Sequence, residues 1–126
     1  MTTPTEIVRR LQPEMELLQQ EELRLLVLDT THHVIASSML YRGTVSAAPG
    51  RVAEVFREAV RRGAAKVAVA HNHPSGDPTP SSDDIVFTRE LVRAGRLMDV
   101  EVLDHVVLGH GPGRWVSLRE RRLGFE

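Results

Sequence analysis

A proline-rich segment in the second half of the chain restricts the possible folds more than any other feature. Residues 74–80 contain three prolines and a glycine, so they cannot form a regular helix or strand. The apolar run at residues 66–70 comes shortly before this segment and is typical of a strand. Ser81 follows the segment and is a favoured N-cap for a helix that we predict to extend to about Met98. The sequence therefore predicts a strand and a helix that are joined by an irregular loop.

Apolar spacing predicts the remaining elements. The nearly continuous apolar run at residues 23–28 is typical of a strand that is buried on both faces, and a hairpin should join it to a second strand. Pro13 should kink or interrupt the first helix. The other predicted helices cover residues 4–18 and 52–60, and the other strands cover residues 34–40, 100–108 and 115–118. In the long helix after Ser81, the side chains expected to face inward are Ile85, Thr88, Leu91, Val92 and Leu97. The predicted order is α-β-β-α-β-α-β-β, an α/β fold with a mixed sheet flanked by helices.

Length, composition and charge limit the class of protein. The chain has 126 residues, of which 41% are hydrophobic, and this suits one domain with a single core over residues 1–126. No run approaches the roughly 18–20 consecutive apolar residues that a membrane helix needs, and we see no secretory signal. We therefore expect a cytoplasmic protein with no membrane partner. The formal net charge of -1 gives no cationic field for nucleic acid, so the basic side chains near residues 61–62 and 114–122 are expected to be solvated.

Two histidines separated by one residue follow the strand before the proline-rich loop. If the strand persists to residue 73, His71 and His73 point to the same side, because strand side chains alternate with period two. Their Cα atoms would lie roughly 6.5–7 Å apart, so both imidazoles can reach one ion at about 2.0–2.1 Å. The chain has no cysteine, and any metal must be held by His, Asp or Glu. Asp84, in the first turn of the next helix, can supply a third ligand and leave a place for water, as in catalytic zinc sites.

Ordinary structural explanations exist for the same residues. A His-x-His pair at a strand end is often two polar side chains that leave the sheet. Ser81 and Asp84 also fit a capping box, in which the serine caps the helix and the acidic side chain bonds back to it. Two histidines and a carboxylate also bind iron in non-haem oxygenases, although nothing in the sequence indicates a cosubstrate site. The absence of cysteine excludes a zinc nucleobase deaminase.

The complete spacing of this segment resembles a known signature. The pattern H-x-H-x7-S-x2-D of JAMM (also MPN+) metalloproteases is matched by His71, His73, Ser81 and Asp84. The longer run His-Asn-His-Pro-Ser-Gly-Asp-Pro-Thr-Pro-Ser is similar to the RadC branch of that superfamily. Two further segments are similar to RadC proteins, YRGT at residues 41–44 and LDHV at residues 103–106. The resemblance covers about residues 3–118.

The resemblance implies both a fold and a set of site residues. It implies a JAB/MPN domain, with a mixed sheet flanked by helices. One Zn2+ ion would be bound by His71, His73 and Asp84. Ser81 would help to stabilise the oxyanion.

The resemblance also implies a glutamate earlier in the chain that holds the water. RadC proteins place it eight positions before the aspartate that ends the first strand, here Asp29, and this selects Glu21. Glu22 is the alternative, because a one-residue shift of a strand exchanges the side chains that face the site. The selected glutamate would take the water proton as a general base and pass it to the leaving amine.

The implied function is zinc-dependent hydrolysis of an amide, peptide or isopeptide bond by metal-activated water. The expected partner is a peptide or protein-conjugate substrate, and the oligomeric state stays open. The DNA-repair label of RadC proteins leaves a second interpretation, a non-enzymatic accessory or docking domain with a structural metal site. Full-length RadC proteins usually place a helix-hairpin-helix domain before this one, and the chain resembles only their C-terminal portion. DNA as a partner is therefore weakly supported by this chain.

Other polar residues receive structural interpretations. Asp104 lies in a predicted buried strand, where it could orient a ligand or border the site. Arg42 is expected to form a surface salt bridge, and Trp115 to belong to the core. The histidines expected to be solvated or without a role are His32, His33 and His110.

Overall fold

The computed structural model describes residues 2–46 and 48–126, which form helices and strands in the predicted order. The helices are α1 (Pro4–Met15), α2 (Arg51–Arg61) and α3 (Ser82–Met98). The strands are β1 (Glu22–Leu28), β2 (Val34–Arg42), β3 (Lys66–Asn72), β4 (Glu101–Leu108) and β5 (Trp115–Ser117). The proline-rich segment lies between β3 and α3 and is irregular, as predicted.

The strands form one mixed sheet in the order β2-β1-β3-β4-β5. β1 pairs antiparallel with β2 through the predicted hairpin, and antiparallel with β3 on its other side. β3 and β4 are parallel, because α3 carries the chain back between them, and β5 closes the far edge antiparallel to β4. β1 and β3 are therefore central strands that are buried on both faces. This is the mixed sheet flanked by helices that the sequence predicts.

Side chains of the central strands alternate between two apolar clusters, one on each face of the sheet. The cluster on the face of α2 and α3 includes Leu23, Leu25, Phe56, Val67, Val69 and Leu91. The cluster on the face of α1 includes Ile7, Leu11, Met15, Leu26, Ala68 and Ala70. His71 comes two residues after Val69, so the alternation directs its side chain to the α3 face.

α1 begins as predicted and ends earlier than predicted. The hydroxyl of Thr3 accepts the N–H of Glu6 at 3.3 Å, which caps the helix. The helix ends at Met15 instead of near residue 18, and Pro13 lies within its last turn. Among the described residues, no helix combines the length and the apolar character needed to cross a membrane.

One inward position predicted for α3 is wrong. Leu97 is 83% exposed, and Ile85 is only half-buried. The buried stripe of the helix runs through Thr88, Leu91 and Gly95. Leu97 lies two residues beyond Gly95, or about 200° around the helix axis, so it points away from the sheet.

Candidate metal centre

His71 and His73 lie at the end of β3, on the face covered by α3. His71 is fully buried within the strand, and His73 is half-buried just after it. The backbone N–H of His73 donates to the carbonyl of Leu108 at 2.9 Å, so the pairing with β4 continues through residue 73. The two Nε2 atoms lie 3.1 Å apart. The structure therefore brings the two imidazoles together on one side, as the spacing predicts.

Asp84, in the first turn of α3, faces both imidazoles. Its Oδ1 lies 3.3 Å from Nε2 of His71, and its Oδ2 lies 3.1 Å from Nε2 of His73. The predicted capping box is also present. The N–H of Asp84 donates to Oγ of Ser81 at 3.0 Å, and the N–H of Ser81 donates to Oδ2 of Asp84 at 2.8 Å. The same carboxylate caps the helix and faces the histidines, so the two explanations of this residue are compatible.

The proline-rich loop is held over the end of the sheet by the turn between β4 and β5. Gly76, at φ +91°, offers its carbonyl to the N–H of His110 at 3.1 Å and to Nη2 of Arg114 at 3.2 Å. Gly109 packs directly on this loop, since a Cβ at Gly109 would collide with the Gly76 carbonyl. The backbone of residue 110 therefore helps to fix the loop, and this contact does not depend on the His110 side chain.

The carboxylates of Glu21 and Glu22 lie in different environments, one beside the histidines and the other between two arginines. Oε1 of Glu21 lies 3.9 Å from Nε2 of His71, and its side chain is 25% exposed. Glu22 is buried and accepts hydrogen bonds from Arg24 at 2.7 Å and from Arg42 at 2.9 Å. Burial acts to raise the pKa of Glu22, but the bonds from Arg24 and Arg42 outweigh it and the pKa is lowered. Of the two alternatives, the carboxylate beside the histidines is that of Glu21.

The donor atoms of this site have the spacing that a zinc ion requires. Within residues 2–46 and 48–126, the ligand atoms of Glu21, His71 and His73 lie within 4.8 Å of one another. The carboxylate oxygens of Asp84 lie 3.3 Å from Nε2 of His71 and 3.1 Å from Nε2 of His73. Two ligands about 2.0–2.1 Å from a tetrahedral ion are roughly 3.4 Å apart, close to the separations seen here. Nδ1 of His73 lies 2.9 Å from the carbonyl of Asp77. A carbonyl only accepts, so this Nδ1 carries a proton and Nε2 is the nitrogen left to bind a metal. The residues present therefore fit a zinc ion.

Comparisons with known proteins identify the family of the chain. A family model described as RadC-like JAB domain matches residues 1–123. The chain belongs to this family. Similar proteins include UPF0758 proteins of Chloroflexus aurantiacus (53% identical over 124 residues), Roseiflexus castenholzii (50% over 123) and Moorella thermoacetica (42% over 120). These alignments cover 95–98% of this chain but 52–53% of each relative, so the chain spans about half the length of the relatives. The resemblance to RadC proteins is thereby confirmed.

This RadC-like JAB domain contains one site residue that the sequence did not indicate. Ser46 lies in the loop between β2 and α2, and its hydroxyl donates to Oδ1 of Asp84. Arg51 holds this loop, because its guanidinium lies 3.1 Å over the ring of Tyr41 and donates to the carbonyl of Thr44 at 3.3 Å. The YRGT motif, which contains Tyr41 and Thr44, is the sequence signal nearest to Ser46.

Hydrogen bonds determine the charge of the RadC-like site. Burial acts to raise the pKa of Asp84, but bonds with His71, His73 and Ser46 outweigh it and hold the pKa far below its usual value. Burial acts to lower the pKa of His73, whereas the hydrogen bonds with Asp84 and with the carbonyl of Asp77 raise it, and the net shift is upward. Asp84 is therefore ionised, and a cation bound here would compete with protons for His73.

A buried hydrogen-bonded chain lies behind His71. Its Nδ1 is 2.7 Å from Nε2 of His105, and Nδ1 of His105 is 2.6 Å from Oγ1 of Thr88. Burial and then the nearby His71 hold the pKa of His105 well below its usual value. Asp104, which the sequence singled out in this strand, instead accepts the hydroxyl of Ser117 at 2.7 Å. Neighbouring strand residues face opposite sides, so the contact with a site histidine is made by His105 and not by Asp104.

The other residues singled out in the sequence lie outside the site. Arg42 is largely exposed and forms its predicted salt bridge, with Glu22. Trp115 is half-buried and packs against the cluster on the α1 face. His33 is exposed as expected, whereas His32 is half-buried and lies 2.8 Å from Nζ of Lys66.

Proposed function

We propose that this chain is a zinc-dependent hydrolase domain of the JAMM type, which cleaves an amide, peptide or isopeptide bond. The observation that carries this proposal is the convergence of three donor groups, the imidazoles of His71 and His73 and the carboxylate of Asp84, at 3.1–3.3 Å from one another. Two imidazoles and one carboxylate leave a fourth tetrahedral position, as catalytic zinc sites require. Membership of the RadC-like JAB family supports the same proposal.

In this proposal Glu21 is the general base. Its carboxylate lies beside the histidines, and its partial exposure allows water to reach it. A bound zinc ion would supply the Lewis acidity that lowers the pKa of water and polarises the scissile carbonyl. Glu21 accepts a proton from the attacking water and passes it to the nitrogen of the leaving group, which departs as a neutral amine.

Ser81 is proposed to donate to the developing oxyanion. Its Oγ accepts the N–H of Asp84, so the hydroxyl hydrogen is free to donate elsewhere. Ser81 is exposed at the start of α3, where a substrate can approach it. Removal of one oxyanion donor typically lowers kcat by about 100- to 1,000-fold, so Ser81 has a large expected share in the rate.

The proposed substrate is a peptide or a protein conjugate. This class follows from the proposed chemistry, in which Glu21 protonates a leaving amine. The name UPF0758 gives no substrate for the relatives, which are about twice as long as this chain. The residues outside the matched half could add contacts with a substrate, with DNA or with another protein.

The test combines metal analysis with a screen of peptides and isopeptides. The chain should bind Zn2+, and His71→Ala should abolish binding because it removes a ligand. Glu21→Gln should retain the metal and lose hydrolysis by a factor on the order of 100–10,000, since an amide cannot accept the proton. Glu90→Gln, an exposed position of α3 outside the site, is the matched control and should keep the wild-type rate.

Two outcomes would contradict this proposal. A wild-type rate in Glu21→Gln would show that another group accepts the proton. Salt-dependent affinity for DNA, with no hydrolysis of any peptide or isopeptide by the zinc-loaded chain, would favour the accessory role in DNA repair.

A further inference from the structure

We propose that Thr88 and His105 are positioning residues that fix the tautomer of His71, so that its Nε2 lone pair faces the proposed zinc site. The proposal rests on the proposed metal site and does not require that the chain hydrolyse any bond. It concerns the direction of three consecutive hydrogen bonds, from the backbone of α3 through β4 to the end of β3.

The direction is set by the single proton of the Thr88 hydroxyl. Oγ1 of Thr88 lies 2.7 Å from the carbonyl oxygen of Asp84. A carbonyl oxygen only accepts, so the Thr88 proton must lie between these two oxygens. The hydroxyl has no second proton, and its contact of 2.6 Å with Nδ1 of His105 must therefore be one that it accepts. Nδ1 of His105 consequently carries a proton.

The same reasoning extends from His105 to His71. The ring of His105 is fully buried, and its nitrogens contact a hydroxyl and another imidazole, neither of which is an anion that would stabilise a second proton. A neutral imidazole with a proton on Nδ1 has a lone pair on Nε2. This Nε2 accepts from Nδ1 of His71 at 2.7 Å, so the proton of His71 is on Nδ1. Nε2 of His71, the nitrogen left for a metal, points towards His73 and Asp84. A proton that Nε2 shares with the Asp84 carboxylate in the metal-free chain would be displaced by a bound metal.

The reverse direction would be unfavourable and would block the site. Thr88 would then donate to His105, and the proton of His71 would lie on Nε2, where a metal must bind. That arrangement leaves Oγ1 of Thr88 and the carbonyl oxygen of Asp84 only 2.7 Å apart with no hydrogen between them. The two proposed histidine ligands thus reach the same tautomer by different routes. His73 donates directly to a carbonyl, whereas His71 depends on a chain of two side chains.

Nuclear magnetic resonance of the 15N-labelled, metal-free chain tests the proposal directly. Long-range 1H–15N correlations distinguish a protonated Nδ1 from a protonated Nε2 in each histidine ring. We expect His71 and His105 in wild type to carry the proton on Nδ1. His73 is the internal reference, because its Nδ1 donates to a backbone carbonyl that no variant changes. A wild-type His71 without a proton on Nδ1 would overturn the proposal, and this measurement requires no mutation.

Paired substitutions at Thr88 supply the second arm of the test. Thr88→Val keeps the shape and removes the hydroxyl, so the tautomer of His71 should become mixed. Its zinc affinity should fall by about 10- to 100-fold, the usual range for a lost contact behind a metal ligand. Thr88→Ser keeps the hydroxyl and should restore both the tautomer and the affinity. A His71 tautomer and zinc affinity in Thr88→Val equal to those of wild type would refute the role of Thr88, whether or not the chain is a hydrolase.

Discussion

A single methyl group at Gly109 should disturb the candidate metal centre without altering any of its side chains. Gly109 donates its N–H to the carbonyl of Arg114 at 2.7 Å and packs against the proline-rich loop. A Cβ at this position would collide with the carbonyl of Gly76 and would lie 2.9 Å from Cδ of Pro78. A backbone carbonyl and a proline ring cannot rotate away as a flexible side chain can. In Gly109→Ala, the loop at residues 74–80 must therefore move as a unit.

The size of the effect follows from these contacts. Overpacking of this kind costs about 1–3 kcal/mol. Displacement of Gly76 also weakens the hydrogen bonds from His110 and Arg114, and the loss of one costs about 1 kcal/mol. The free energy of unfolding should fall by about 2–4 kcal/mol, which in a chain of 126 residues lowers Tm by roughly 6–20 °C. Because the carbonyl of Asp77 orients His73, zinc affinity should fall as well, by about 10-fold or more.

Thermal unfolding followed by circular dichroism and zinc titration against a chelating indicator measure the two effects. Gly113→Ala is the control, since Gly113 lies in the same turn at φ +73° with open space around the added Cβ. This control should lose about 1–2 kcal/mol through left-handed backbone strain and keep its zinc affinity. If Gly109→Ala matched Gly113→Ala in both measurements, the contact between the two loops would have no part in placing His73, and the reasoning would fail.

Two further predictions concern groups beside the centre. Glu22 has a folded-state pKa below its ordinary 4.5, so it contributes stability that is fully present above pH 4.5 and is lost as the pH falls through the folded value. In urea unfolding, Glu22→Gln should therefore be less stable than wild type at pH 7 by about 1–3 kcal/mol, with a smaller difference at pH 3; an equal difference at both pH values would contradict the ion-pair interpretation. Ser46→Ala removes the hydroxyl bonded to Oδ1 of Asp84 and should lower zinc affinity by about 10-fold with little change in Tm. An unchanged affinity in a competition titration would mean that Ser46 does not orient this carboxylate.

Local patterns were sufficient to predict most elements and the segment that bears the proposed ligands. The positions of His71 and His73 depend only on an extended chain through residue 73, because alternation follows from the pleat of a strand. The capping box is likewise contained in four consecutive residues, from Ser81 to Asp84. Leu97 marks the limit of such patterns. It is an apolar residue in the last turn of the helix, but the helix rotates it away from the sheet after Gly95.

Contacts between distant segments could not be predicted from local patterns. Glu21 and Glu22 are adjacent, and the face that each occupies depends on how β1 pairs with β3, where Oδ1 of Asn72 accepts the N–H of Glu22 at 2.8 Å. Ser46 meets Asp84 from a different loop. His105 reaches His71 only because β4 lies parallel to β3 in the sheet. No periodic pattern in the sequence predicts any of these contacts.

The proposed ligands are all supplied by residues 71–84, and hydrogen bonds within the protein hold both ends of this segment. The carbonyl of Leu108 fixes His73 at the sheet, and Ser81 fixes Asp84 at the start of α3. In domains where the ion itself gathers its ligands, chelators cause unfolding. Here a chelator should leave the fold intact. It should lower Tm only by the stability that a bound ion adds to the folded state. The polypeptide would then fold independently of metal supply, and the abundance of zinc in its surroundings would govern how many folded molecules carry the proposed ion.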